Sequence, residues 1–364
     1  MTGGAGFIGS HTVDRLLEKG FDVVVLDNLA HPIHYEEKIP SYLPVDHLNF
    51  IQGDVRDKEV VKSALKDVNI IFHFAAYQDY LPDFSKFFHV NSVGTALIYE
   101  LIVEYALPIK KIIVASSQAV MGEGQYKCEE HGNFIPNLRK EKDLKNGLWN
   151  IRCPECDDAA VYQQSDESVI NPNNQYAMSK YSQEQIAINL GRQHKIPSVA
   201  LRYSIVQGPR QSFSNAYSGA MRIFSLSLYH NHTPIIYEDG EQVRDFININ
   251  DVVDANLLML ETDNVDYNVY NVGGGAPYTV NDFYERLASA YNSDLEPDRN
   301  GNYRFGDTRK ILSDISKIKQ LGWSPKRTLE DSILSYKKYL EEASPKDDVL
   351  NAALETMKSL SVVR

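Results

Sequence analysis

Residues 2–10 read Thr2-Gly3-Gly4-Ala5-Gly6-Phe7-Ile8-Gly9-Ser10. Gly3, Gly6 and Gly9 recur at every third position, and helical periodicity follows over 7–19. Glycine permits a tight turn and lets main-chain N–H groups come close to a ligand. A helix that starts at such a turn adds a field favouring an anion, above all a pyrophosphate. Taken alone, a glycine run also fits an ordinary turn.

The flanking sequence supplies context. Short apolar runs at 21–26, 49–51, 70–74, 112–115 and 198–201 are nearly continuous in Val, Ile, Leu and Phe. Strands buried on both faces read this way. Helical candidates lie between them at 57–66, 84–106 and 174–194. The alternation predicts right-handed βαβ units and a doubly wound parallel sheet in an α/β fold. From 204 to 245 Gly, Pro, Ser and Asn are frequent, and helical patterns return at 251–262, 279–292 and 329–343. We therefore expect a dinucleotide-binding domain over 1–203. A smaller substrate-binding lobe follows, mainly over 204–345 with parts returning to the first domain, then a C-terminal tail over 346–364. Almost nothing precedes the glycine loop, where such a sheet places its central strand. The expectation is that the natural chain starts several residues earlier.

Composition narrows the function. The 364 residues carry a formal charge of −12, and an acidic chain argues against nucleic-acid binding, which needs a basic stripe. The longest apolar runs fall short of a membrane span. The amino terminus lacks the charged start and apolar stretch of a signal peptide, so the expected location is the cytoplasm.

Two further features sharpen the loop. The run Val23-Val24-Val25-Leu26 ends in Asp27-Asn28. An acidic residue there suits a ribose diol and would repel a 2′-phosphate, so NAD is favoured over NADP. Asp54-Val55 follows the next strand, within reach of the adenine. Phe74-Ala75-Ala76 ends another strand with small residues, which lets a cofactor lie against the backbone. Downstream, Tyr176 and Lys180 share a helix face at i, i+4. An ammonium beside a phenol favours the phenolate, so Tyr176 is expected to be a proton acceptor near neutral pH. The run 112–115 leads into Ser116-Ser117, which places the Ser117 hydroxyl at a strand end, ready to bond a substrate oxygen.

With these pieces in hand, the chain resembles the extended short-chain dehydrogenase/reductase family, in its sugar-nucleotide epimerase/dehydratase branch. The matching segments span essentially the whole length: TGGAGFIGS (2–10), Asp27, GDV (53–55), HFAA (73–76), NSVGT (91–95), SSQAVMG (116–122), YAMSK (176–180), RDFININD (244–251) and RFGD (304–307). The resemblance implies a Rossmann fold and a Ser117–Tyr176–Lys180 catalytic set. It implies cofactor contacts from Gly3, Gly6, Phe7, Ile8, Gly9, Asn28, Asn91, Tyr176 and Lys180. Substrate contacts are implied at Ser117 and Gln118, with Arg244 and Arg304 clamping a nucleotide diphosphate. Dehydratases and decarboxylases of this branch place a glutamate beyond the catalytic hydroxyl; this chain has Gln118 and Ala119. That points to a 4-epimerase, which oxidises C4, turns the keto sugar and re-reduces it. A 2-epimerase, a 4-reductase or a non-catalytic NAD-binding protein are the alternatives. Ile205 replaces an asparagine usual in the family, and Met121 a tyrosine. Family resemblance also implies a homodimer joined by helices near 84–106 and 174–194.

Ser117 and Tyr176 stand further apart than the family usually places them, which marks an insertion over about 123–170. It holds all three cysteines: Cys128 and His131 as C-x-x-H, then Cys153 and Cys156 as C-x-x-C. Three cysteines are too few for a disulfide framework. Four such ligands suit a closed tetrahedral zinc site that staples the insertion, although reduced free thiols in a loop fit the same spacing. This insert, with YSQEQ (181–185) and GPRQSFSNAYSGAMRIF (208–224), resembles dTDP-L-rhamnose 4-epimerases more than typical UDP-glucose 4-epimerases.

Overall fold

The computed structural model describes residues 1–34, 37–215, 219–346, 350, 355, 363 and 364. Within them the strands are β1 (Val24–Asp27), β2 (Asn49–Gln52), β3 (Ile70–His73), β4 (Lys111–Ser117), β5 (Gln125–Cys128), β6 (Gly132–Phe134), β7 (Val161–Ser165), β8 (Ser198–Tyr203), β9 (Ile205–Gln207), β10 (Val243–Asn248), β11 (Asn268–Val272), β12 (Pro277–Thr279) and β13 (Leu312–Ser313). Of the expected tail over 346–364, most lies outside the described residues.

Parallel ladders join β2 to β1, β3 to β4, β4 to β8 and β8 to β11. Residues 1–3 stand between β1 and β3. Gly3 N donates to Leu26 O at 2.9 Å, and Thr2 N donates to Phe72 O at 2.9 Å. The order is therefore β2, β1, residues 1–3, β3, β4, β8, β11. Chain order reverses at residues 1–3, so the glycine loop leaves the sheet at its topological switch point, where such sheets open a crevice. Strand β8 is buried throughout, since helices cover both faces. On one side lie α1 (Phe7–Glu18) and the helix Ile249–Glu261, packed through Val13, Leu16, Val252 and Val253. On the other, Ile98, Leu101 and Ile102 pack on Ile71, Ile112 and Val114.

Two of the expected helices form with an interruption. The segment from Phe84 turns as a π-helix over Phe88–Val93 before Gly94–Glu104, and Gln175–Gln185 passes through a π turn at Ile186–Leu190. Such a turn widens the ladder and re-aims a side chain; here it carries Asn91 inward.

A second sheet, in the order β12, β10, β9, has its own core of Phe224, Phe246, Phe283, Ile333 and Tyr336. Its helices Val280–Tyr291 and Leu329–Ala343 start at capping boxes, Thr279 with Asp282 and Thr328 with Asp331. Ser204 alone separates β8 in the first sheet from β9 in the second. The insertion contributes β5, β6 and β7 to a third sheet, which β13 completes. Among the described residues, no helix is long and apolar enough to cross a membrane.

Candidate active site

A cleft of about 870 Å³ runs from the glycine loop, past the end of β4, to the second sheet. At one end the loop is built by close approach. Gly3 has φ +69°, and a Cβ there would lie 2.6 Å from Ala75 N. A Cβ on Gly9 would lie 2.1 Å from Gly3 O. At Gly6 the nearest atom to such a Cβ is 3.4 Å away, so its outer face is open. Gly6 also caps α1 without a side-chain bond, and the first turn holds no acidic residue. Free amides and the helix field thus face the cleft together, which fits the pyrophosphate of NAD. Phe7, Ile8, Asp27, Asn28, Val55, Phe74, Ala75 and Ala76 line the same end. Asp27 accepts from Ala5 N and Leu29 N, each at 3.0 Å, which fixes its carboxylate at the tip of β1.

Two expected cofactor residues stand elsewhere. Asp54 is not on the cleft wall. Its carboxylate is bound by Arg56 at 2.8 Å and by Asn28 at 3.1 Å, and the Arg56 hydrogen bond holds its pKa at about 2. Asn91 is fully buried behind the wall, bonding the Tyr77 N–H (2.7 Å), the Tyr77 carbonyl (3.0 Å) and Ser179 Oγ (2.9 Å). It braces the loop after β3 against the helix that carries Tyr176. The side chains that line the wall near these positions, Arg56 and His34, carry no motif in the sequence.

Midway, Ser117, Tyr176 and Lys180 meet. Ser117 ends β4, and Tyr176 lies in the first turn of Gln175–Gln185, whose cap Asn174 accepts from Ala177 N at 2.8 Å. The Tyr176 phenol hydrogen-bonds Ser117. Lys180 Nζ lies 5.9 Å from the Tyr176 ring centre and donates to Ala115 O at 2.7 Å and Gln183 Oε1 at 2.9 Å. The expected lowering of the phenol is not what these residues produce by themselves. Burial pushes Tyr176 up to about 12, opposed by its Ser117 bond. Burial also brings Lys180 down to about 7, opposed by Glu184. The sequence pattern shows the lysine's charge but not the desolvation that taxes both groups.

At the far end two guanidiniums share one carboxylate. Arg244 and Arg304 reach Asp307 Oδ2 at 3.2 and 2.9 Å. Burial works to raise Asp307, yet Arg304, Arg244 and Arg139 hold it at about 2. Arg304 also donates to the Tyr80 hydroxyl at 2.9 Å and lies over the Tyr237 ring at 5.3 Å. Two cations against one anion leave this end positive, as a diphosphate requires. Tyr80, Tyr237 and Asp307 escaped the sequence reading; only Asp307, inside the R-x-G-D piece, had a signal. Gln118 lines the cleft, but its amide nitrogen is committed to Ser313 Oγ (2.7 Å), Ser204 Oγ (3.1 Å) and Asp245 Oδ2 (3.4 Å). It ties β4 to the second sheet more than it offers that amide to a substrate.

A separate cluster lies in the insertion. Cys128 Sγ is 3.7 Å from both His131 Nδ1 and Cys156 Sγ, and Cys153 Sγ is 3.6 Å from His131 Nδ1. One ligand atom from each of the four residues lies within 4.8 Å of the others.

Comparison with known proteins agrees with this geometry. The NAD dependent epimerase/dehydratase family pattern matches residues 1–139 and 155–273. The chain is 31% identical to a dTDP-L-rhamnose 4-epimerase of Burkholderia thailandensis, over 92% of each chain. It is 27% identical to a UDP-glucose 4-epimerase of Bacillus subtilis, over 91% of this chain and 93% of that one. Among solved structures, it is similar to a UDP-glucose 4-epimerase from Thermotoga maritima with UDP-glucose, at 29% identity and TM-score 0.75, covering 94% of this chain and 98% of that one. A Thermus thermophilus UDP-glucose 4-epimerase in complex with NAD gives 27% and 0.72, with the same coverage. By its fold, its nucleotide cradle and these matches, the chain belongs to the NAD-dependent epimerase/dehydratase family.

Proposed function

We propose that the protein is a sugar-nucleotide 4-epimerase that uses NAD, with a dTDP-L-rhamnose-type or UDP-hexose substrate. One observation carries the reading. Ser117, Tyr176 and Lys180 stand between a dinucleotide cradle and an arginine clamp, and the positions after Ser117 are Gln118 and Ala119. No acid follows Ser117 to expel water from the sugar.

NAD, when bound, supplies the hydride acceptor and donor. Ser117 and Tyr176 hold the C4 hydroxyl by its oxygen, and Tyr176 takes its proton and later returns it. Lys180, anchored on Ala115 O and Gln183, orients the phenol and offsets the charge it develops. Arg244 and Arg304 keep the diphosphate while the hexose turns. The smaller lobe built on β9, β10 and β12 is thus the substrate-binding lobe. We read the assembly as a cytoplasmic homodimer, supported by exposed Val93, Val103 and Met178 on the two long helical segments.

Incubation with dTDP-L-rhamnose, UDP-glucose or UDP-galactose, without added reductant, is expected to yield the C4 epimer of one of them. A product formed only in step with added NAD(P)H, or with loss of water, would overturn the assignment.

We also infer that Cys128, His131, Cys153 and Cys156 hold a structural zinc ion. A tetrahedron with zinc–sulfur bonds of about 2.3 Å and zinc–nitrogen bonds of about 2.0 Å has edges of roughly 3.5–3.8 Å. Three of the six edges, at 3.6 and 3.7 Å, match, and all six lie within 4.8 Å. Four protein ligands leave no open position, so the ion staples and takes no part in the reaction. Metal analysis is expected to find one zinc per chain.

A further inference from the structure

Beneath the arginine clamp lies a charge network that the proposed reaction leaves unused. Glu123 and Arg139 come from the insertion; Glu238 and Arg309 come from outside it. Each of these four side chains is 4% exposed or less. Arg139 bonds through both terminal nitrogens of its fork, while its Nε makes no hydrogen bond. Its Nη1 donates to Glu238 Oε2 at 2.9 Å and to Trp149 O at 3.1 Å. Its Nη2 donates to Glu238 Oε1 at 2.8 Å and to Asp307 O at 2.7 Å. Its Nε lies 3.6 Å from Glu123 Oε1. Arg309 completes the frame, donating from Nε to Asn150 Oδ1 at 3.0 Å, from Nη1 to Glu238 at 3.0 Å and from its main-chain N–H to Glu123 at 2.7 Å.

Two of these contacts matter together. Asp307, whose carbonyl Arg139 pins, is the carboxylate that orients both Arg244 and Arg304. Trp149 and Asn150, which Arg139 and Arg309 grip, lie just ahead of the cluster residue Cys153. The family pattern breaks off at 139 and resumes at 155, so Trp149, Asn150 and Cys153 fall in the unmatched span and Arg139 stands at its edge.

We propose that Arg139 is a positioning residue for the diphosphate clamp, and that the Cys128–His131–Cys153–Cys156 cluster fixes it by holding the Trp149–Asn150 turn. The insertion is therefore a part of the substrate site that never touches the reacting carbon. The proposal rests on the clamp and zinc readings above. A buried guanidinium that spans a carboxylate and two carbonyls cannot be replaced by a point charge on a flexible stem. Loss of its fork frees the Asp307 loop, and with it the spacing of Arg244 and Arg304.

The test uses the full-length, NAD-loaded protein with UDP and dTDP as probes, since both present the same diphosphate. Titration calorimetry is expected to show about tenfold weaker binding of the tighter probe by both Arg139→Lys and Arg139→Met, with NAD content unchanged. Stripping zinc from the wild type is expected to weaken the same probe by a similar factor, and to add little in Arg139→Met, since coupled elements act non-additively. Arg139→Lys keeps the charge, so it remains informative if Arg139→Met fails to fold. Wild-type affinity in Arg139→Lys would overturn the proposal, as would equal losses of NAD and probe, or a fully additive metal effect. Failure of the zinc reading shows separately, as wild-type protein without zinc. Failure of the epimerase reading shows as absent turnover with intact probe binding.

Discussion

The two ends of the cleft are made of different materials. The cofactor end is backbone: Gly3, Gly6 and Gly9 bring amides to a surface, and a side chain at Gly3 or Gly9 would collide with neighbouring main chain. The other end is side chain: Arg244, Arg304 and Asp307 sit on a frame of further buried ions drawn from distant parts of the sequence. The first is a local geometry that a short motif can encode whole. The second depends on which segments tertiary folding brings together.

This contrast can be attacked from its junction outward. Tyr176→Phe should lower turnover by roughly 10³-fold, the scale of a lost proton acceptor. NAD content and UDP or dTDP affinity should stay as they were; joint loss of both would mean that the junction also holds the two ends together. Arg304→Ala should raise KM roughly 100-fold, the scale of a lost charge-assisted bond to phosphate. NAD retention, followed by absorbance after denaturation, should not change. Gly9→Ala should act on the other end alone. Its Cβ meets Gly3 O, and overpacking of this kind costs about 2 kcal/mol. NAD should be lost, while the variant, if folded, still binds the diphosphate probe. The most gradual effect, a slope with pH, concerns Lys180, whose pKa burial lowers to about 7. Between pH 7 and its unfolded value near 10.4, the unfolded chain holds more proton on this residue than the folded one. The folded protein, stripped of NAD, should therefore gain about 1 kcal/mol per pH unit in that window relative to Lys180→Met, measured by urea unfolding. A flat difference between the two proteins would show that the lysine is not desolvated.

Legibility in the sequence follows the same division. The sheet was readable because its strands are continuous apolar runs, and the meeting of Ser117, Tyr176 and Lys180 because Ser117 ends a strand and Tyr176 and Lys180 share a helix face. Asp54 and Asn91 stand off the cleft wall for a common reason. Each sits beside a genuine cleft residue, but a partner claims it: Arg56 holds the one, Tyr77 and Ser179 the other. Competing partners of this sort are invisible in a motif. The π turns at 88–93 and 186–190 were unreadable too, since a single widened turn barely alters helical periodicity. Tyr80, Tyr237 and Arg139 belong to no repeat or spacing; only the folded chain juxtaposes them.

The single residue between β8 and β9 bears on how the molecule works. Ser204 donates to Asp245 at 2.7 Å, and its N–H donates to Val272 O at 3.0 Å. At this crossing, one of several between the two sheets, an anchored residue leaves the chain no slack. The two sheets should therefore keep their relative position along this edge of the cleft when a nucleotide binds. Small-angle scattering curves recorded with and without UDP should superimpose.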